Sequence, residues 1–403
     1  MELLALVGSP SSRARHGECF VWSRGTQEGN VVVDAGGTKG VGVQAAEYNP
    51  EVLVLTHDDH DHIGGAVELI KKAKGSLKEL WVPADWGLLI KQIASSEANE
   101  PSPSESMPVD LDEITRSIEA QFLELANGQR QEEPNNGMHL LLGTLQQVKE
   151  RLDAWNRIDM PDDVFAIEIG PACSFYGAKS FRDIKRRVEH RVGVLHAILT
   201  EAVNNSMVVR FFSIDLALSR SSEEEAWEAA GRKGLATIAN AAEVPYATLK
   251  ALPSGVVYTF LLTHITVQNR RALSTLLWTN KGEPSEAIVI WSDTDGGWLD
   301  ALGPRGFSQV VKMLSLSSAP HHASANAAHN RVWQELEKAP ATMVMISAGG
   351  HGKQKYHGDY KALASRRCCT WCRPSLQGAQ EVSATFTTGK IFKLRNSCLA
   401  LHP

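Results

Sequence analysis

The chain has 403 residues, of which 43% are hydrophobic, so it can bury a large core and could form one large domain or two to three ordinary ones. Its net charge of −5 excludes a global basic field, so a nucleic-acid partner would have to be met by a local patch. Six cysteines in so long a chain are unlike a secreted disulfide framework, and no apolar run of about 18 residues indicates a membrane span. The opening MELLALVG lacks the features of a secretory signal, so we expect a cytoplasmic protein with no membrane part.

Short apolar runs separated by glycine-containing turns fill the first 94 residues. This pattern predicts strands over residues 1–7, 19–23, 30–34 and 51–56. The segment GGAVELIKKAKG then places its apolar residues on one face of a helix that would end at Gly75.

The middle of the chain is predicted to be helical. It opens with a Pro/Ser/Glu-rich stretch over residues 95–110, which has the composition of a linker or an exposed loop. Capping signals and apolar spacing then predict helices over residues 110–128, 137–156, 179–203 and 221–244.

The strand pattern returns after about residue 255. Strands are predicted over residues 256–267, 272–278, 286–293, 309–316, 341–350, 384–389 and 390–395, with helical stretches near 325–337 and 358–366. Strand-rich ends around a helical middle indicate one layered α/β (or α+β) domain assembled from both ends of the chain.

The run THDDHDHIGG, residues 56–65, holds three histidines and three aspartates in six consecutive positions. Because it follows the apolar run EVLVLT, these side chains are expected in a loop between a buried strand and a helix. Burying several carboxylates together is costly unless a cation neutralises them, and histidine is the commonest metal ligand. The run therefore predicts a metal site rather than a solvated acidic turn.

The same run resembles the His-x-His-x-Asp-His signature of the metallo-β-lactamase-fold hydrolases, with Asp59 in place of the second histidine. This variant, followed by Ile-Gly-Gly, is similar to the hydrolase domain of competence-type DNA-uptake proteins and their soluble relatives. Further segments resemble that subfamily in order and spacing: 15–22, 31–37, 269–278, 287–293, 319–325 and 346–363. The resemblance spans residues 1–94 and 256–395 but not the helical middle.

This resemblance implies a metallo-β-lactamase-like αββα sandwich with a helical insertion. We expect residues 1–94 to form the N-terminal half of the hydrolase sandwich and residues 95–250 to form the insertion. Residues 251–403 would form the C-terminal half with a cysteine-containing tail.

The resemblance also implies ligands for two metal ions that bind the attacking water. The matching positions are His57 and Asp59 for the first ion, Asp61 and His62 for the second, and Asp293 as the bridge between them. Asp295 is the alternative to Asp293. Either His321 or His322 would complete the set, with a narrow preference for His321, and Asp34 would support the ligands from behind.

Three of the matching residues are candidates for catalysis. Asp61 would act as a base, Asp293 would bridge the ions, and His357 would be either a ligand or a donor to the leaving group. A surface histidine in a glycine-rich loop is the alternative for His357. Backbone amides in residues 347–350 could hold a phosphate.

The predicted cofactors are two divalent ions. Because Asp59 replaces an imidazole, the site is harder, which shifts its preference from Zn²⁺ toward Mn²⁺ or Mg²⁺. The spacing of Cys369, Cys372, Cys398 and His402 also suggests a structural zinc, although plain buried thiols would fit the same pattern.

The function that the resemblance implies is cleavage of phosphodiester bonds by a metal-bound water at a dinuclear site, with DNA or RNA as the leading substrate. One alternative is a hydrolase of a small molecule, such as a cyclic nucleotide, a lactone or a thioester. Another is a non-catalytic, metal-stabilised interaction protein. In each case residues 95–250 could bind a protein partner.

Overall fold

The structure is a computed structural model. It describes residues 1–7, 17–24, 29–95, 134–155, 181–214, 231–232, 234–251, 272–278, 287–301, 306–348, 356–363, 366–370, 381–387 and 390–395. The chain divides into two compact units. Unit 1 comprises Met1–Pro83, Asn204–Glu243 and Gln268–Pro403, and unit 2 comprises Ala84–Val203 and Val244–Val267.

The larger of two mixed sheets has nine strands among the described residues. In order across the sheet they are β16 (Lys390–Arg395), β15 (Val382–Thr387), β1 (Glu2–Ala5), β2 (Phe20–Ser23), β3 (Asn30–Val33), β4 (Pro50–Val54), β5 (Glu79–Pro83), β6 (Val208–Ser213) and β9 (Ala242–Val244). Strands β3 to β6 run parallel to one another, whereas β1, β2 and β15 pair antiparallel with their neighbours.

The smaller sheet has seven strands among the described residues. Its order is β14 (Arg367–Cys369), β13 (Val344–Ser347), β12 (Leu316–Ser318), β11 (Ala287–Ile290), β10 (Thr275–Trp278), β8 (Ala236–Ile238) and β7 (Gly231–Arg232). Strands β11 to β14 are parallel, and β10 is antiparallel to both of its neighbours.

The described helices of unit 1 have at most eight residues, whereas three of the helices in unit 2 have twelve or more. In chain order they are α1 (Lys39–Ala46), α2 (His60–Ile63), α3 (Ala66–Lys72), α4 (Ala84–Ser95), α5 (Pro134–Trp155), α6 (Phe181–Asn204), α7 (Tyr246–Ala251), α8 (Trp298–Ala301), α9 (Gly306–Val311), α10 (Asn330–Leu336) and α11 (Gly358–Ala362). Two 3₁₀ helices cover Pro320–Ala323 and Ala327–His329. No described helix is long and apolar enough to cross a membrane.

Two hydrophobic cores stabilise unit 1. One joins the sheets, and its fully buried members include Leu3, Trp22, Val54 and Trp81 from the larger sheet and Leu277, Ile288, Leu316 and Ile346 from the smaller one. The other joins the smaller sheet to the helices on its outer face through Trp291, Trp298, Phe307, Trp333 and Tyr360. On the larger sheet's side, α1 and α3 pack against each other. The predicted α/β sandwich is confirmed.

Unit 2 is built from helices in its described part. Helix α4 packs against α5, and α7 packs against both. The His196 ring contacts the Leu145 carbonyl at 3.0 Å and so ties α6 to α5.

The helix predicted over residues 221–244 is wrong where it is described, because β7, β8 and β9 occupy residues 231–244. These residues pair with neighbouring strands, and that pairing overrides their local helical pattern. The predicted strand over 309–316 is also wrong, because residues 309–311 belong to helix α9 and only Leu316 lies in a strand, β12. Strands β5 and β6 and helix α1 were not predicted. Residues 204–243, inside the expected insertion of 95–250, lie in unit 1.

Candidate metal centre

The histidines and aspartates of the site follow the carboxyl ends of parallel strands in both sheets. Asp34 follows β3 and His57 follows β4 in the larger sheet, while Asp293 follows β11 and the pair His321 and His322 follows β12 in the smaller one. Parallel strands end at the same edge of a sheet, where loops commonly form sites. Side chains that are distant in sequence therefore meet in unit 1.

One group of possible ligands consists of His57, His62 and Asp293, all of them buried. His57 Nε2 lies 3.7 Å from Asp293 Oδ2, and His62 Nε2 lies 3.7 Å from Asp293 Oδ1. The two oxygens of this carboxylate thus face two different imidazoles.

A second group consists of Asp61, His62 and His322. Asp61 Oδ2 lies 3.3 Å from His322 Nε2, and the rings of His62 and His322 are 5.3 Å apart. Asp61 and His62 both lie in helix α2, so this short helix presents both side chains to the same space.

In three of the imidazoles, the Nδ1 atom, which faces away from the site, is held by a hydrogen bond. His62 Nδ1 lies 2.8 Å from Asp34 Oδ2, and His322 Nδ1 lies 2.7 Å from the Ala348 carbonyl. A carboxylate and a carbonyl can only accept hydrogen bonds, so the Nδ1–H of each ring donates to its partner. His57 Nδ1 contacts Thr56 Oγ1 at 3.0 Å. In neutral His62 and His322 the Nε2 lone pair therefore points into the site, as metal ligation requires.

The inward-facing atoms fit a bound cation. Among the described residues, His57 Nε2, His62 Nε2 and Asp293 Oδ1 are buried and have no hydrogen-bond partner. Two ligand atoms held at about 2.1 Å from one ion in tetrahedral geometry stand about 3.4 Å apart. The observed separations of 3.3 to 3.7 Å match that spacing, and the two of 3.7 Å are too long for hydrogen bonds.

The carboxylates and imidazoles of the site shift one another's pKa values. Burial would raise the pKa of Asp293, but the surrounding imidazoles, His62 foremost, lower it to about 2. For Asp61, burial acts in the same upward direction, and the hydrogen bond from His322 with the nearby imidazoles holds the pKa well below its usual range. Burial lowers the pKa of His322, yet the carboxylates raise it to about 9. The carboxylates thus require positive charge beside them, and a metal ion would supply it.

A further carboxyl, Glu18, lies behind the ligands. It is fully buried, neither of its oxygens has a hydrogen-bond partner among the described residues, and Oε2 is 3.7 Å from His62 Nδ1. Burial raises the pKa of Glu18 to about 8, against the smaller effect of the nearby imidazoles. From the sequence, residues 15–22 resemble the subfamily, but no role was predicted for Glu18.

The loop that carries residues 57–65 depends on close backbone approach. A Cβ on Gly17, whose φ is +70°, would lie 1.8 Å from the Asp61 carbonyl oxygen. A Cβ on Gly65 would lie 2.2 Å from the carbonyl oxygen of Ala35. Glycine is required at both positions because any side chain would displace the loop of residues 57–65 from its neighbours.

The loop after β12 is strained. His321, His322 and Ala323 have φ values of 44°, 55° and 65°, in the left-handed region that residues with a Cβ disfavour. This conformation turns two consecutive imidazoles in different directions: His321 Nε2 lies 3.5 Å from Asp293 Oδ2, whereas His322 Nε2 faces Asp61. Of the two, only His322 belongs to a possible ligand group, although His321 was preferred from the sequence.

The remaining predicted residues lie at the edge of the site or elsewhere. Asp59 Oδ2 is 3.7 Å from His57 Nε2, with the side chain 30% exposed. The carboxylate of Asp295 accepts a hydrogen bond from the Gly297 amide and joins neither group. His357 caps α11, and its ring stacks on Trp333 at 4.5 Å. Ser347 is buried and donates a hydrogen bond to the His322 carbonyl.

Other predictions fall largely outside the described residues. Cys369 is buried at the end of β14, whereas Cys372, Cys398 and His402 lie outside the described residues. The same holds for residues 349–355. The structural zinc therefore stays a prediction.

Sequence reasoning missed two hydroxyls and one imidazole. Thr56 and Ser292 contact each other at 2.7 Å beside His57, and His329 packs its ring 4.4 Å from that of His321. Thr56 and Ser292 each directly precede a predicted ligand, which was the available signal. His329 lay in a predicted helix and carried no such signal.

Residues 19–93 match the family profile described as the Metallo-beta-lactamase superfamily. The match includes Asp34 and the whole run from His57 to His62, and it ends before Asp293, His321 and His322. It indicates a metal-dependent hydrolase, a class whose divalent ions are often zinc. No solved structure matches the chain.

Proposed function

We propose that this protein is a cytoplasmic metal-dependent hydrolase that cleaves phosphodiester bonds, with DNA or RNA as its substrate. The observation that carries the proposal is the position of Asp293. Its Oδ1 faces His62 and its Oδ2 faces His57, so one carboxylate adjoins two sets of ligands. A carboxylate shared in this way suits a pair of divalent ions.

The proposal assigns the ligands as follows. The first ion would be held by His57, Asp59 and Asp293 Oδ2, and the second by Asp61, His62, His322 and Asp293 Oδ1. When bound, a pair of divalent ions supplies Lewis acidity toward phosphoryl oxygens and a nucleophile at neutral pH.

The ligand chemistry supports a phosphodiester substrate. Asp59, Asp61 and Asp293 bring three carboxylates to the site, beside three imidazoles. Oxygen-rich sites favour Mn²⁺ and Mg²⁺ over Zn²⁺, and these harder ions commonly act on phosphate groups. Manganese is therefore the proposed metal, with zinc and magnesium as the alternatives.

The chain's own residues would orient and move protons. Asp61 is proposed as the proton acceptor, because its side chain is 31% exposed while one oxygen faces His322. His357 is proposed as the donor to the leaving group. Its Nδ1 accepts a hydrogen bond from the Asp359 amide, so a neutral ring carries its proton on Nε2. Residues 95–250 are proposed to bind a protein partner.

The test is a substrate panel with controlled metal content. The protein is stripped with a chelator, reloaded separately with Mn²⁺, Zn²⁺ and Mg²⁺, and incubated with plasmid, single-stranded DNA, RNA, cyclic dinucleotides, a lactone and a thioester. Asp61→Asn is compared with His60→Gln, a matched control in the same run whose side chain is exposed.

We expect a polymer to be cleaved only by the reloaded protein, with Asp61→Asn inactive and His60→Gln fully active. Cleavage of small molecules alone would replace the phosphodiester proposal with the small-molecule alternative. Binding of two ions without cleavage of any substrate would favour the non-catalytic interaction protein.

A further inference from the structure

We propose that the hydroxyls of Thr56 and Ser292 form a relay that fixes the tautomer of His57 and so positions its Nε2 for the metal. The inference deepens the proposed function and rests on its metal site. It makes both residues positioning residues, because they act through His57 and Asp34 rather than on a substrate.

Thr56 Oγ1 lies at the centre of the relay. It is 2.9 Å from both carboxylate oxygens of Asp34, 3.0 Å from His57 Nδ1 and 2.7 Å from Ser292 Oγ. All four side chains are buried. In this water-poor setting the hydrogen bonds must be satisfied within the group.

The chemistry of the groups determines the direction of each hydrogen bond. A hydroxyl has one proton to donate and two lone pairs, whereas a carboxylate only accepts. The Thr56 proton therefore goes to Asp34, which also accepts from the Thr56 amide at 2.8 Å. Thr56 Oγ1 must then accept from its two other neighbours, Ser292 Oγ–H and His57 Nδ1–H.

A proton on His57 Nδ1 leaves the lone pair of the neutral ring on Nε2. That atom is buried, has no hydrogen-bond partner among the described residues, and lies 3.7 Å from both Asp59 Oδ2 and Asp293 Oδ2. Asp34 thus orients two imidazoles, His62 directly at 2.8 Å and His57 through Thr56.

Ser292 contributes from the opposite sheet. It has a φ of 55°, a conformation that is costly for serine, and its carbonyl accepts a hydrogen bond from the His321 amide at 3.0 Å. Its hydroxyl reaches Thr56 across 236 positions of sequence. The relay therefore couples the end of β4 to the end of β11, which are the two strands that precede His57 and Asp293.

The experiment separates the hydroxyl from the shape of the side chain. Thr56→Val keeps the shape and removes the hydroxyl, Thr56→Ser keeps the hydroxyl, and Ser292→Ala removes the second hydroxyl. Thr275→Val is the matched control, since Thr275 is fully buried and its hydroxyl has no hydrogen-bond partner among the described residues. Folding of each variant is checked by circular dichroism.

Two measurements are made on the full chain. Affinity for Mn²⁺ and Zn²⁺ is measured by calorimetry, and the tautomer of His57 is read from long-range ¹H–¹⁵N spectra of the zinc-loaded and metal-free protein. We expect Thr56→Val to bind metal about 10- to 100-fold more weakly and to lose the Nδ1–H signal of His57. Thr56→Ser and Thr275→Val should bind metal with an affinity within about threefold of the wild type. Ser292→Ala should bind metal more weakly than either of them, with a loss in the same range of about 10- to 100-fold.

The proposal is overturned if folded Thr56→Val binds metal as tightly as Thr275→Val and keeps the His57 signal. If Thr56→Val does not fold, Ser292→Ala decides, and wild-type affinity there overturns the relay. Neither measurement uses a substrate, so a failure of the relay is distinguishable from a failure of the phosphodiesterase proposal.

Discussion

Residues 57–65 and residues 319–324 both bring imidazoles to the same site, but their backbones do so in different ways. The first loop is approached closely by its neighbours, and it depends on glycines where a Cβ would lie within 2.2 Å of a carbonyl oxygen. The second loop has no glycine, and three of its residues adopt positive φ.

This difference decides whether backbone strain falls on the possible metal ligands or on other residues. The close contacts of the first loop involve its own Gly65 and also Gly17, which lies against the Asp61 carbonyl, while the possible ligands in the loop keep ordinary backbone angles. In the second loop the strained residues His321 and His322 themselves face the site. Substitutions in the two loops should therefore affect metal affinity and stability to different degrees.

The largest effect is expected at Asp293, which adjoins both loops. Asp293→Asn should lower the affinity for both ions more than about 100-fold, because a ligand matters more than the outer partners whose loss costs 10- to 100-fold. Asp295→Asn is the control and should keep both ions, which elemental analysis of the purified proteins would measure. Equal losses in the two variants would contradict the assignment of Asp293 as the bridge.

The second largest effect on metal affinity is expected at His322, in contrast to its neighbour His321. His322→Gln should release one ion and weaken its binding by at least about 10-fold. His321→Gln should retain both ions, since His321 belongs to neither ligand group. Titration calorimetry with Mn²⁺ checks both variants, and the reverse result would restore the preference for His321.

The close approach of Gly17 to the Asp61 carbonyl predicts an effect on the free energy of unfolding. Gly17→Ala should lower the free energy of unfolding by about 2–4 kcal/mol, because a left-handed φ and a severe overlap with Asp61 combine. Gly75→Ala is the matched control, with φ of +93° and no heavy atom within 4 Å of the added Cβ. It should cost about 1–2 kcal/mol. Urea unfolding measures both free energies. Similar losses in the two variants would mean that the loop of residues 57–65 moves away from the added Cβ at little cost.

The smallest effect is expected in the strained loop. Ala323→Gly relieves about 1–2 kcal/mol of left-handed strain but loses a buried methyl worth about 0.8 kcal/mol and adds chain entropy. The free energy of unfolding should stay within about 1 kcal/mol of the wild type. Ala319→Gly, equally buried but with φ of −81°, should be destabilising. If both variants lose the same stability, the backbone of residues 321–323 carries no strain.

The sequence was sufficient for the local parts of the fold and of the site. Strand β4, the loop with His57 and His62, and helix α3 follow from a continuous apolar run, a dense polar run and helical spacing. Strand β11 before Asp293 has the same apolar pattern. Because these features depend on residues that are close in sequence, the pattern of apolar and polar residues is enough to predict them.

What could not be predicted depends on distant contacts. The direction of His321 and His322 follows from three consecutive left-handed residues, a conformation that is uncommon for residues other than glycine and that local sequence does not predict. Strand β8 was taken for part of a helix, because its pairing partner β10 is contributed by a later segment. The contact of Thr56 with Ser292 likewise requires both sheets to be assembled first.

The long separation in sequence that this contact bridges would also determine when the proposed site can form during synthesis. Thr56 and Ser292 are separated by 236 positions, and Asp293 is the next residue after Ser292. A ribosome that has completed only the N-terminal strands of the larger sheet has made four of the six proposed ligands, but neither His322 nor the proposed bridge Asp293. The complete site of the proposal could therefore form only after translation of the second half, so we expect the nascent N-terminal strands to fold or be protected without the full set of ions.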